Sequence, residues 1–269
     1  MTEKNIVIQN NKIFYKVTGH GQPVVLIHGF AEDSDVWKYQ LKELSKNYQL
    51  IIPDLPGSGK SAMITDMSIE GLADCVKQIL EHEIPVNTPS VVIGHSMGGY
   101  ITLSLAEKYP GLFHAFGLFH STAYADSDEK KATRQRSIEF IRTHGSYEFL
   151  KQSTPNLFSE TYRTKNGVDI DNMIEQYKGF NAAALIAYYQ AMIQRPDRRA
   201  LLPSFYKPIL FIIGKNDKAI SFEDSMQQSC LPQLSYFHLL ENSAHMGMWE
   251  EPGKSNAALR AFLQDVYNN

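Results

Sequence analysis

An α/β fold, with a mostly parallel central sheet flanked by helices, is what this sequence predicts, and three observations carry the prediction. Short continuous apolar runs such as PVVLIHG (23–29), SVVIGHS (90–96) and PILFIIGKND (208–217) have the length and β-branched content of buried strands. Segments of helical length and amphipathic spacing separate them, and parallel neighbours in a sheet need crossovers of that length. The alternation stops over residues 122–203, a polar stretch with helical patterning, and resumes beyond it.

In chain order, residues 5–8 and 13–17 predict a short antiparallel pair, and 23–29 a buried strand ending at glycine. Ser34 or Asp35 is the expected cap of a helix carrying Val36, Trp37, Leu41 and Leu44 at spacings of three and four. YQLIIPD (48–54) reads as a strand, 68–83 as an amphipathic helix capped by Ser68, and 90–96 as a third buried strand. A helix over 97–110 is stopped by Pro110 and Gly111 and followed by the strand AFGLFHS (115–121). Within 122–203, helices are expected near 129–143 and 171–193. Strands at 208–217 and 235–240 and a helix over 253–267 complete the pattern. The chain thus divides into a core, 1–121 with 204–269, and a helical insertion, 122–203.

A length of 269 residues suits one large α/β core with such an insertion. The formal net charge of −3 gives no basic excess to draw the protein to nucleic acid or an anionic membrane, so a small molecule is the expected partner. The basic residues of DSDEKKATRQR (126–136) are interleaved with acids and read as a solvated helix face. Cys75 and Cys230 fall in helical segments without CxxC spacing and read as free, mostly buried thiols; no metal site is expected. The start, MTEKNIVIQNN, lacks the basic end and the apolar run of about 7–15 residues of a signal peptide, and no later run reaches about 18 apolar residues. A cytoplasmic protein without a membrane span is expected, its oligomeric state left open.

PDLPGSGKS (53–61) ends like a nucleotide-binding P-loop. A Walker A loop needs glycine five positions before Gly59, and that position is Asp54, a carboxylate at the mouth of a would-be phosphate nest. Pro53 and Pro56 remove two further amides. The segment therefore reads as a tight turn leaving a strand.

The strongest chemical signal is GHSMGG (94–99), a G-x-S-x-G pattern between a predicted strand and a predicted helix. A serine on so sharp a bend is backbone-strained, side chains at the ±2 positions would collide there, and the helix N-terminus aims amides at developing negative charge. A hydroxyl needs a base before it is a nucleophile, and an orienting acid behind the base.

With these motifs the sequence resembles the α/β-hydrolase superfamily over nearly its whole length. The resemblance implies that HGF (28–30) is an oxyanion loop with the Phe30 N–H as donor, partnered by the N–H of Met97. It matches Asp54, Gly57, Gly59 and Ser61 to the family's D-x-x-G-x-G-x-S turn. It places the base at His245, in the loop beyond the last strand, and the acid at Asp217, just past the 208–214 run; His120 is the rival base and Asp126 the fallback acid. His95, at the variable position of the elbow, is expected to shape the turn. The 122–203 insertion resembles the family's lid, with Tyr124, Tyr188, Tyr189 and Met192 as possible pocket residues beside Met246 and Trp249. The implied activity is cofactor-free hydrolysis of a small-to-medium carboxylic ester through an acyl-enzyme on Ser96. Carbon–carbon bond hydrolases, thioesterases, cofactor-free haloperoxidases and small-molecule receptors resemble the same pattern.

Overall fold

A computed structural model describes residues 1–86 and 88–268. An eight-stranded sheet runs in the order β1-β2-β4-β3-β5-β6-β7-β8. The strands are β1 (Thr2–Ile8), β2 (Asn11–Thr18), β3 (Gln22–Ile27), β4 (Tyr48–Pro53), β5 (Ser90–His95), β6 (Phe113–Phe119), β7 (Ile209–Gly214) and β8 (Ser235–Leu240). Among the described residues only the β1/β2 and β2/β4 pairings are antiparallel, matching the hairpin expected at the start. β5 and β7 are buried along their whole length, the signature of strands covered on both faces.

The helices are α1 (Lys38–Leu44), α2 (Ile69–Glu83), α3 (Met97–Lys108), α4 (Asp128–Ser153), α5 (Glu160–Lys165), α6 (Gly167–Gln176), α7 (Ala182–Gln194), α8 (Leu201–Ser204), α9 (Phe222–Ser229), α10 (Gly247–Glu250) and α11 (Pro252–Asn268). Ser68 caps α2 as expected, its hydroxyl accepting the Gly71 N–H at 3.0 Å. α1 packs on α11 and α2 on α3, while α4 to α7 form the helical insertion between β6 and β7. Among the described residues no helix is long and apolar enough to cross a membrane.

Four local expectations need correction. The helix expected from Ser34 or Asp35 begins as a 3-10 turn, Ser34–Trp37, and its cap is Asp33, whose carboxylate accepts the Asp35 N–H at 2.8 Å. The Ser34 N–H is taken by Asp54 instead, at 3.0 Å. The helix expected near 129–143 runs on to Ser153, kinked at Gly145 with φ +83°. The segment 171–193 is two helices, because Asn181 turns back to accept the Ala183 N–H at 2.9 Å and starts α7 afresh. Cys75 is buried in α2, but Cys230 follows the last turn of α9 and is exposed.

Strand order and register decide where a site can form. The sheet order reverses at β3, whose neighbours are β4 and β5, and crevices open at the carboxyl ends of strands at such a reversal. Ile27 pairs with Gly94, His95 with Phe119, Phe119 with Ile212, and Gly214 with Leu240. The loops after β3, β5, β6, β7 and β8 therefore leave the same edge of the sheet side by side.

Candidate active site

Ser96 joins β5 to α3 at φ +50°, ψ −116°, a strained conformation for a residue with a side chain. The glycines beside it are required by space: a Cβ on Gly94 would overlap the carbonyl of Gly98, and one on Gly98 would overlap that of Ile27. The bend is held by the Ser96 N–H donating to the Phe119 carbonyl at 3.0 Å and by the Ser121 hydroxyl donating to the Ser96 carbonyl at 2.7 Å. Ser96 remains half-buried at the edge of the sheet, and Met97 is the first residue of α3, where amides lack intrahelical partners.

His245 and Asp217 converge on this serine. Ser96 Oγ lies 2.9 Å from His245 Nε2, and His245 Nδ1 lies 2.7 Å from Asp217 Oδ2. A carboxylate can only accept, so Nδ1 carries the proton and Nε2 is left to accept from the serine hydroxyl. The other Asp217 oxygen accepts the N–H groups of Ala219 at 2.8 Å and Ile220 at 3.0 Å. Burial alone would raise the Asp217 pKa, but the charge on a protonated His245 and hydrogen bonds from His120 and His245 hold it well below the ordinary carboxylate range. The His245 loop is itself tied down: the His245 N–H donates to the Leu157 carbonyl at 2.9 Å. Glu250 accepts the Ala244 N–H at 2.9 Å with one oxygen and the Ser159 N–H at 2.8 Å with the other.

The alternative residues are occupied elsewhere. His120 is buried, its ring nitrogens facing the N–H groups of Gly214 and Gly247 at 3.1 Å each, with Nδ1 3.5 Å from Asp217 Oδ2. Burial pushes its pKa down to about 4, so it stands neutral behind Asp217. Asp126 is gripped by two guanidinium groups, Arg134 at 2.6 Å and Arg195 at 3.0 Å, and anchors the base of the insertion.

The loop after β3 brings Gly29, and with it the following Phe30, against the serine: a Cβ on Gly29 would lie 3.1 Å from Ser96 Cβ. His28 accepts the Leu55 N–H at Nε2, 2.9 Å, which leaves its Nδ1 proton for the Gly29 carbonyl at 2.8 Å. The Phe30 N–H donates to no acceptor among the described residues. Glu32 and His95 lie beneath the loop: Glu32 accepts the Gly29 N–H at 2.6 Å and meets His95 Nδ1 at 3.0 Å. Glu32 is not recognisable from the sequence as a site residue, being a lone loop acid whose partner is 63 positions away.

PDLPGSGKS is the turn between β4 and α2. Asp54 accepts the Lys60 N–H at 2.9 Å, and a Cβ on Gly59, at φ +51°, would strike that carboxylate. The Ser61 hydroxyl donates to the Asp54 carbonyl at 2.7 Å and accepts the Phe14 N–H at 2.8 Å. Lys60 is exposed and pairs with Glu3 at 2.7 Å.

A cavity of about 80 Å³ opens beside the loop, lined among others by Phe30, Ala31, Phe149, Leu157, Tyr189 and Met246. Tyr189 stacks on Phe30 with ring centres 4.3 Å apart. Of the six expected pocket residues, Tyr189 and Met246 line this cavity and four do not. Tyr188 is fully buried, its hydroxyl donating to the Pro56 carbonyl at 2.6 Å and meeting Ser58 Oγ at 2.9 Å. Trp249 turns its indole N–H to the Val36 carbonyl at 2.9 Å, Met192 is buried in the packing of α7, and Tyr124 lies under the Arg199 guanidinium. Phe149 and Leu157 went unnoticed in the sequence because their azimuth depends on the Gly145 kink and on a 3-10 turn, Thr154–Leu157.

A family model described as the alpha/beta hydrolase family matches residues 24–258. The (E)-2-((N-methylformamido)methylene)succinate hydrolase of Acinetobacter baylyi is 26% identical over 272 residues, covering 98% of this chain and 99% of the relative. Lipase 1 of Psychrobacter immobilis is 27% identical over 265 residues, covering 94% of this chain and 82% of the lipase. A thermophilic esterase from Thermogutta terrifontis, solved with malate bound, superposes with a TM-score of 0.91 at 28% identity, covering 99% of both chains. With the strand order and the serine bend already described, the match over residues 24–258 means that the chain belongs to the alpha/beta hydrolase family.

Proposed function

We propose that this protein is a serine hydrolase acting on a small-to-medium carboxylic ester, with Ser96 as nucleophile, His245 as general base and acid, and Asp217 as the orienting acid. The observation that carries the reading is the continuous hydrogen-bonded line from Ser96 Oγ through His245 to Asp217, at 2.9 and 2.7 Å. Ser96 Oγ attacks the ester carbonyl carbon while its proton passes to His245 Nε2. The carbonyl oxygen becomes an oxyanion held by the N–H groups of Phe30 and Met97, each worth on the order of 10²–10³ in rate. The C–O bond then breaks, His245 gives the proton to the leaving alcohol, and an acyl-serine remains. Water attacks the acyl carbon, its proton goes to His245 and on to Ser96, and the carboxylic acid leaves.

In this reading residues 122–203 are the lid over a core of 1–121 and 204–269, and the cavity of about 80 Å³ takes one end of the ester. Liquid water occupies about 30 Å³ per molecule, so that space holds a short apolar group. The similarity to the Thermogutta esterase and to the Psychrobacter lipase is in keeping with an ester substrate.

The test is turnover of p-nitrophenyl esters of increasing acyl length by wild type and Ser96→Ala, with fluorophosphonate labelling read by mass spectrometry. Rapid turnover of short esters, its loss in Ser96→Ala and a label on Ser96 are expected. Wild-type turnover in Ser96→Ala would overturn the assignment, and slow single-turnover behaviour would favour a receptor.

A further inference from the structure

We infer that Glu32 and His95 form a buried charged brace that ties the Phe30 loop to the His245 loop and keeps the oxyanion donors in register with the base. The inference rests on the serine-hydrolase reading above. His95 is 1% exposed and Glu32 4%. Nε2 of His95 lies 3.0 Å from the backbone carbonyl of His245, and a carbonyl only accepts, so Nε2 carries a proton. Nδ1 lies 3.0 Å from a Glu32 oxygen that already accepts the Gly29 N–H, so Nδ1 carries the second proton and the ring is an imidazolium. In the same direction, burial disfavours the charge on His95 but the Glu32 carboxylate outweighs it and raises the pKa; burial likewise disfavours ionised Glu32, and His95 outweighs it and lowers the pKa.

Trp37 and Phe119 present ring faces and edges to His95 and shield it from water. The titratable groups facing the pair are the His245 ring at 5.0 Å and the His120 ring at 6.2 Å from the His95 ring, Asp217, His28 and, across the cavity from Glu32, Tyr177. One line of contacts thus runs from the Gly29 amide, next to the Phe30 donor, through Glu32 and His95 to the main chain of the base. It fixes the spacing of two loops that follow different strands, and displacements of a fraction of an ångström there are costly in rate. Both side chains are positioning residues.

Glu32→Gln keeps the shape and the acceptor for Gly29 but removes the charge that holds the second proton on His95. A neutral ring can donate to Glu32 or to His245, not to both. The experiment records long-range ¹H–¹⁵N spectra of ¹⁵N-histidine-labelled protein at about pH 8, above the ordinary histidine pKa of roughly 6.5. The His95 signals are assigned by their loss in His95→Gln. Two protonated ring nitrogens are expected in wild type and in Glu32→Asp, and one in Glu32→Gln. In Glu32→Gln, with folding verified by circular dichroism, kcat is expected to fall about 10- to 100-fold with KM nearly unchanged, and Glu32→Asp to recover part of the loss. A single protonated nitrogen in wild type, or wild-type kcat in folded Glu32→Gln, would overturn the brace. The spectra need no substrate, so they decide the brace even if an active Ser96→Ala enzyme were to overturn the hydrolase assignment.

Discussion

Replacing Asp217 with asparagine tests the line from the acid to the serine at its far end, and the structure dictates which way the new amide must turn. One Asp217 oxygen accepts two backbone N–H groups, from Ala219 and Ile220 at 2.8 and 3.0 Å, so the asparagine carbonyl oxygen has to stay there. The NH₂ group then takes the place of the oxygen that now lies 2.7 Å from His245 Nδ1. A donor facing Nδ1 selects the tautomer protonated at Nε2, and that proton points at Ser96 Oγ, 2.9 Å away. On the proposed mechanism this disables His245 as base with the geometry intact. A loss of about 10⁴ in kcat is expected, or about 5.4 kcal/mol of barrier at about 1.36 kcal/mol per decade, with little change in KM. Steady-state kinetics on a short p-nitrophenyl ester, with melting curves to confirm folding, measure it. Retention of more than about a tenth of wild-type kcat would refute the tautomer argument.

His120→Gln should flatten the acid limb of stability. The folded-state pKa of His120 is pushed by burial to about 4, so between about 6.5 and 4 the unfolded chain binds a proton that the folded one does not, and stability falls as pH falls. The share of this group approaches about 3 kcal/mol at the bottom of that window, and urea denaturation at pH values across it should show the slope in wild type and not in the variant. Tyr188→Phe should cost about 1–3 kcal/mol, because the Pro56 carbonyl loses its donor in a dry interior, with kcat unchanged. A shift in ester preference in that variant would return Tyr188 to the cavity wall.

The sequence was most legible where local sterics or continuous burial set the outcome. The glycines around Ser96 have no other use than a bend in which a Cβ would meet backbone, and fully buried strands such as β7 declare themselves as unbroken apolar runs. Asp217 and His245 were reached through the family resemblance, and the register lays the ends of the strands they follow side by side. Cavity-lining residues were not, because α7 is apolar around much of its surface and pattern gives no azimuth. Its neighbours Tyr188 and Tyr189 part ways, one toward the Pro56 carbonyl and the other onto Phe30. The cap at Asp33 was obscured by three consecutive good capping residues, and only the competing Asp54 carboxylate decides among them.

The hydrogen bonds from the insertion to the loop of His245 change what exchanging that insertion would mean. The main-chain N–H of His245 ends on Leu157, and Glu250 divides its carboxylate between Ala244 and Ser159. A graft that swaps the helices of this insertion for those of a relative therefore also replaces groups that hold the His245 loop in place. The segment around 157–159 belongs, by its bonding, to the His245 loop, and the natural seams for recombination lie to either side of it.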